Sequence, residues 1–215
     1  MELLVVFAVG VIASAIAALI YEYGTGPLLK VSIDESLRAP GQLSGEPPHE
    51  FYHLKVTNIK PKWPLPNRKP AWSCKATLEV FHLNGQRAIP EFVTARWPSK
   101  PEPLKPEMVD GAFTQLIDPA RMVAAQKVDI YSHEDEKFAV TLKFDGSSKC
   151  HIFSNESYYF PRWQHPEWRL SQGEYRLRVT LYYKRGREVT DFLLQNKGRN
   201  RSDVRLQPWP ATRCQ

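Results

Sequence analysis

Residues 173–186 read GEYRLRVTLYYKRG, and the spacing of apolar positions in this stretch decides the fold class. Tyr175, Leu177, Val179, Leu181 and Tyr183 fall on one parity, and Arg176, Arg178 and Lys184 fall on the other. Successive side chains of a strand point to opposite faces, so the alternation predicts a strand with one buried and one solvated face. Arg185-Gly186 then turns the chain toward a further strand at 189–194.

The same period recurs upstream. FYHLKVTN at 51–58 places Tyr52, Leu54 and Val56 inward, with His53, Lys55 and Thr57 outward. SCKATLEVFHL at 73–83 places Cys74, Ala76, Leu78 and Val80 inward, with Lys75, Thr77 and Glu79 outward, and closes on Asn84-Gly85, after which 89–97 reads as the returning strand. KFAVTLKFDG at 137–146 places Phe138, Val140, Leu142 and Phe144 inward and ends at the Asp145-Gly146 turn, before a strand at 149–153. Further strands are expected at 29–33, 113–117 and 128–131. Eight or nine strands at this spacing predict an all-β sandwich. Two connections, 61–70 and 98–106, are too rich in proline for a central strand.

Two stretches carry more than alternation. FYHLKVTN, a loop and PAWSCKATLEVFHLNG resemble the strand, Asn-containing turn, Pro-Ala, strand and Gly turn of immunoglobulin-like modules such as prokaryotic CARDB-type domains. Leu170, Gly173 and Tyr175 in LSQGEYRLRV resemble the Leu, Gly and Tyr that open a late strand in many such sandwiches. There the Tyr packs inside and its hydroxyl reaches back to backbone. Taken whole, the order of apolar run, HLKVTN, PAWSC, ARWPSKPEP, NESYYFPRW and GEYRLRV resembles a group of prokaryotic membrane-anchored proteins of unknown function. The resemblance implies an immunoglobulin-like antiparallel sandwich with Gly173 and Tyr175 as a structural corner. It brings no catalytic residue with it.

Residues 3–20, which include Leu3, Phe7 and Ile20, form a run of uncharged and mostly apolar side chains. As a helix the run measures roughly 27 Å, close to a hydrocarbon core of about 30 Å. Tyr21 and Tyr23 follow where amphipathic rings favour headgroups. The rival is a signal peptide cleaved near Ala13-Ser14-Ala15, but no Lys or Arg precedes the run, which favours an uncleaved single-pass anchor. Lys30 and Arg38 favour a cytoplasmic soluble part, while Glu22, Asp34 and Glu35 lie close by, so the charge balance leans to that side without deciding it.

The chain of 215 residues carries 29 Lys and Arg against 23 Asp and Glu. Much of the excess falls in 184–213, too thinly spread to predict a nucleic-acid partner. Three cysteines, Cys74, Cys150 and Cys214, exclude a scaffold built on disulfides and leave room for one bridge, between Cys74 and Cys150. No CxxC, HExxH, GxSxG, GxGxxG or phosphate loop is present, and neither metal nor cofactor is expected. His133-Glu134-Asp135-Glu136 reads as a charged tip between strands, and Asn155-Glu156-Ser157 and Asn200-Arg201-Ser202 match the glycosylation sequon.

The remaining candidate is YYFPRWQHPEWR at 158–169. Tyr158, Tyr159 and Trp163 offer flat faces, and Arg162, His165 and Arg169 offer donors, a mixture suited to a binding platform. The same rings suit a crossover that seals one end of a sandwich. The expected organisation is an anchor at 1–23, a linker with a first strand at 24–50, the sandwich at 51–196 and a basic tail at 197–215. The expected function is a non-enzymatic, membrane-tethered module that binds a protein or small ligand. The alternative is a cytoplasmic-facing sensor of a small anionic ligand or partner protein.

Overall fold

The structure, a computed structural model, describes residues 2–40, 47–60, 67–109 and 112–210, without the side chains of 2–10, 109, 112 and 113. Leu3, Phe7 and Cys214 therefore lie outside the described side chains, as does most of the first proline-rich connection. The chain opens with helix α1 (Glu2–Thr25), followed by β1 (Leu29–Ile33), β2 (Leu37–Ala39), β3 (His49–Asn58), β4 (Ala71–His82) and β5 (Val93–Thr94). A hairpin of β6 (Leu104–Val109) and β7 (Ala112–Ile117) leads to the short helix α2 (Pro119–Ala124). Then come β8 (Val128–Ile130), β9 (Asp135–Phe144), β10 (Cys150–Ile152), β11 (Arg169–Leu170), β12 (Gly173–Tyr183), β13 (Gly186–Asn196) and β14 (Val204–Pro208).

All pairings are antiparallel. Sheet one runs β1-β3-β9-β10-β11, with β2 also on β3, and sheet two runs β14-β13-β12-β4-β5, with β8 also on β4. The two sheets face each other across one core, to which sheet one gives Leu54, Val56 and Phe138 and sheet two gives Leu78, Val80, Leu177 and Val179. Each such aliphatic side chain contributes roughly 1.5–3 kcal/mol by leaving water. The opening alternation holds as expected: Tyr175, Leu177, Val179 and Leu181 are buried, and Tyr183 packs at the margin. Tyr175 Oη donates to the Ser171 carbonyl at 3.1 Å. Gly173, at φ +155°, opens β12 beneath that ring with a backbone that favours glycine.

Several expectations need correction. The returning strand at 89–97 reduces to β5 and an isolated bridge from Arg96 to Ala139 of sheet one, because Pro90 interrupts the ladder. The linker at 24–50 contributes the expected strand at 29–33 as β1 and adds β2, which was not expected, to sheet one, while the tail adds β14, whose residues pair with Phe192 to Asn196 of β13. The short strands lift the number of segments above the eight or nine expected.

The largest correction lies in β9. In the β3–β9 ladder Tyr52 pairs with Thr141 and His53 pairs with Ala139, so Val140 is an extra residue, a β-bulge. Before the bulge Phe138 faces the main core, as expected. After it the parity is reversed, so Leu142 and Phe144 face away from the main core, while Thr141 and Lys143 pair with Ile152 and Cys150 on the core side. Lys143 is fully buried, its Nζ donating to Asn196 Oδ1 and the Gly198 carbonyl, both at 2.8 Å. Leu142, Phe144, Ala139 and Phe153 form a second, smaller core on the outer face of sheet one.

The backbone of α1 is helical through all 24 residues, while its side chains are described only from residue 11. Among the described residues no helix is long and apolar enough to cross a membrane. The run at 3–20 begins before that point, so the described part covers only its second half.

Candidate functional site

The stretch 158–169 folds as three short 3-10 turns, at Asn155–Tyr159, Pro161–Trp163 and Pro166–Trp168. Ser154 starts the first by a reciprocal cap with Ser157, and prolines at the first turn of the other two fix their entry. The segment lies across the outer face of sheet one, where the bulge has placed apolar side chains. Trp163 packs against His49 and Phe51 at ring-centroid distances of 5.5 and 5.9 Å, and Tyr158 lies 5.9 Å from Phe153. The buried Arg96 guanidinium sits over the Tyr158 ring, 5.8 Å from its centroid. Burial pushes the Tyr158 hydroxyl up to about 12, with Arg96 acting in the opposite sense.

Trp168, 6 % exposed, belongs to the main core, and His165 stacks on it at 3.9 Å with the planes 13° apart. Asn155 is also buried, its Nδ2 donating to the Met122 carbonyl, so this sequon is not presented as an acceptor in the folded chain. The structure therefore divides the sequence candidates. Tyr158, Trp163 and His165 are engaged in packing, while Tyr159, Arg162 and Arg169 are exposed. They do not converge on a described cavity. Arg162 and Trp163 both adopt left-handed φ values, 54° and 56°, which bend the segment over the sheet.

A concave surface lies elsewhere, on the outer face of sheet two. Lys75, Thr77 and Glu79 alternate along β4, and Phe92 and Tyr182 stand beside them around a groove of about 380 Å³. Phe92 is 59 % and Tyr182 44 % exposed, so both side chains are open to solvent. Register sets this floor: Tyr182 pairs with Lys75, Thr180 with Thr77 and Arg178 with Glu79. Glu79 is held by Arg87 at 2.7 Å, so the groove is lined by one acidic and one basic side chain together with two rings. Such a surface combines flat apolar faces with polar groups, the two features common to small-ligand sites. Sequence reasoning placed Lys75, Thr77 and Glu79 outward but missed the groove. Tyr182 was legible as the outward neighbour of Leu181, whereas Phe92 follows Pro90 in an irregular stretch without a period.

Beyond the groove the same face carries Asp191 paired with both Arg178, directly opposite on β12, and Arg176, two residues before it, with the Trp209 ring 5.5 Å from Arg176. Burial raises the Asp191 carboxyl, but the hydrogen bonds from the two arginines outweigh it and hold the group below the usual range. Cys74 and Cys150 are free and buried in the main core, so the room for a bridge is not used. His133 to Glu136 forms a strand-to-strand tip, and no group of His, Cys, Asp or Glu among the described residues is placed to hold a metal ion.

The far end of the sandwich grips α1. Glu22 pairs with both Lys69 and Arg185, Arg68 Nη1 donates to the Gly26 carbonyl at 2.9 Å and the Gly24 carbonyl at 3.3 Å, and the Lys69 amide donates to the Thr25 carbonyl at 2.7 Å. Cations at a helix C-terminus also suit its dipole. In comparisons with protein families, curated proteins and solved structures, the chain matches no family model, no curated protein and no solved structure.

Proposed function

We propose that this chain is a membrane-tethered, non-catalytic β-sandwich with an immunoglobulin-like arrangement, which binds a small ligand or a protein partner beside the bilayer. Helix α1 carries the reading. Its side chains from 11 to 20 are all exposed, and apart from Ser14 none has a polar side chain. A helix that is apolar all round and has no protein packed against it suits a bilayer. Its 24 residues span about 36 Å, enough for a hydrocarbon core of about 30 Å. The tyrosine hydroxyl returning to Ser171 and the two facing antiparallel sheets support the immunoglobulin-like arrangement. For binding, the groove between Phe92 and Tyr182 is the better candidate, since the rings at 158–168 are largely spent on packing.

The full chain is expected to sediment with membranes and to resist extraction by alkaline carbonate. Release into the supernatant overturns the tether. A second reading, a cytoplasmic sensor of a small anionic ligand or partner protein, draws support from the unpaired Cys74 and Cys150, as in a reducing compartment. Protease digestion of intact against lysed cells separates the two sides.

A further inference from the structure

The end of the sandwich that grips α1 also carries exposed aromatic side chains. Trp72, at the start of β4, is 43 % exposed, and Tyr131, just after β8, is 47 % exposed. Their rings meet edge to face at 5.7 Å. Both are held at this end by backbone. The Lys184 amide donates to the Trp72 carbonyl at 3.1 Å, and the next residue, Arg185, pairs with Glu22 of α1. The Glu134 amide donates to the Tyr131 carbonyl, and the His133 amide donates to that of Asn58, whose side chain in turn bonds the Leu28 amide just past the helix. Lys60 and Lys184 are exposed at the same end.

We infer that this end of the sandwich lies on the surface of the bilayer that α1 enters, with Trp72 and Tyr131 in the headgroup layer and Lys60 and Lys184 facing lipid phosphates. The inference rests on the reading of α1 as a membrane tether. Ile20 ends the apolar run and Thr25 ends the helix, a rise of about 8 Å at 1.5 Å per residue. The headgroup region on each side of a bilayer is roughly 5–8 Å deep. A sandwich clamped at Glu22 therefore has no aqueous gap in which to swing. Trp and Tyr are the residues that favour this layer, since an apolar ring and a polar N–H or O–H are each satisfied there, and exposed lysines beside them add attraction to anionic lipid. Tyr21 and Tyr23, both exposed, continue the same belt along the helix itself. Four exposed aromatic residues from three separate parts of the chain thus lie at the end of the sandwich from which one helix leaves.

The test uses the full chain in liposomes whose phospholipid carries bromine near the glycerol end of the acyl chain, with anionic lipid included. Flotation first establishes that the chain is bound, and tryptophan quenching by bromine then reads depth. Trp72→Phe is expected to lower the quenched emission by about one sixth of the total, the share of one tryptophan among 6. Tyr131→Trp is expected to add a comparable quenched share, and this gain does not depend on tolerance of a change at Trp72. If the chain floats but neither substitution alters the quenched emission, the docking is overturned and the tether stands. If the chain does not float, the tether and the docking fall together.

Discussion

Acid should destabilise this protein well before its carboxylates titrate, and His151 is the main reason. His151 sits on β10 on the outer face of sheet one, 6 % exposed, beneath the segment that carries His165. Burial depresses its pKa from 6.5 to about 4; a hydrogen bond with the His165 backbone opposes this, and the nearby charges of Arg169, Lys149 and Lys143 add to it. Nδ1 has no hydrogen-bond partner among the described residues, so a proton placed there would be an unsatisfied donor as well as a buried charge. The unfolded chain takes up this proton first as the pH falls, so stability is full above 6.5 and is lost progressively down to about 4. At about 1.4 kcal/mol per unit the whole shift corresponds to about 3 kcal/mol, and about 2 kcal/mol of it is lost by pH ~5. His53, also lowered by burial, adds in the same direction. Asp34 and Asp191 lie outside this window: burial raises each, hydrogen bonds from Lys137 and from the two arginines prevail, and both end below 3.8. Urea titrations of the wild type and His151→Gln from pH ~7 to pH ~5 should therefore diverge, with the variant losing less by about 2 kcal/mol. Equal losses in both proteins refute the assignment.

Trp168→Ala should cost about 3–5 kcal/mol of stability in the same titration, and Trp163→Ala clearly less because that ring is half-buried at a smaller core. Tyr175→Phe should lose about 1 kcal/mol, the worth of the bond to Ser171, and Tyr175→Ala about 3 or more; equal losses would mean that the ring does not pack. Phe92→Ser and Tyr182→Ser should each stay within about 0.5 kcal/mol of wild type, and large losses would show the groove rings to be structural. Burial raises the Cys74 thiol to about 12 and the Cys150 thiol to about 11, so a thiol reagent at mildly alkaline pH should reach both only as fast as the chain unfolds. Rapid labelling of either in the folded protein contradicts this.

The long strands were legible because each has enough residues for alternation to show. Residues 52–56, 74–80 and 175–181 carry their inward sets at every second position, and the structure buries those sets. Strands of two or three residues, such as β5 and β11, contain no period to read and exist only because a longer neighbour offers its edge. The bulge at Val140 was illegible for a related reason. A run such as FAVTLKF alternates equally well with or without one inserted residue, and only the register against β3 reveals the shift. That hidden shift also kept both readings of 158–169, platform and crossover, open in the sequence. The sequence offers aromatic rings, but whether they stack on a ligand or on Phe51 and Phe153 depends on which way Leu142 and Phe144 point. The groove on sheet two combines a strand face, which parity could identify, with Phe92, which only tertiary placement could supply.

The bulge has one more consequence, for how the folded state breathes. Two bodies of apolar side chains share β9 but lie on opposite sides of it, and the outer one is small, built from Ala139, Leu142, Phe144 and Phe153 with a few rings laid over them. Its cover can detach while the sandwich stays closed, exposing far less surface than global unfolding does. Amide protons of 157–164, such as those of Ser157, Phe160 and Trp163 that close the 3-10 turns, should exchange through this partial opening. Those of Leu177 and Val179, in the middle of β12, should exchange only when the entire domain comes apart. One inserted residue thus divides a single sandwich into a permanent part and a part that opens on its own.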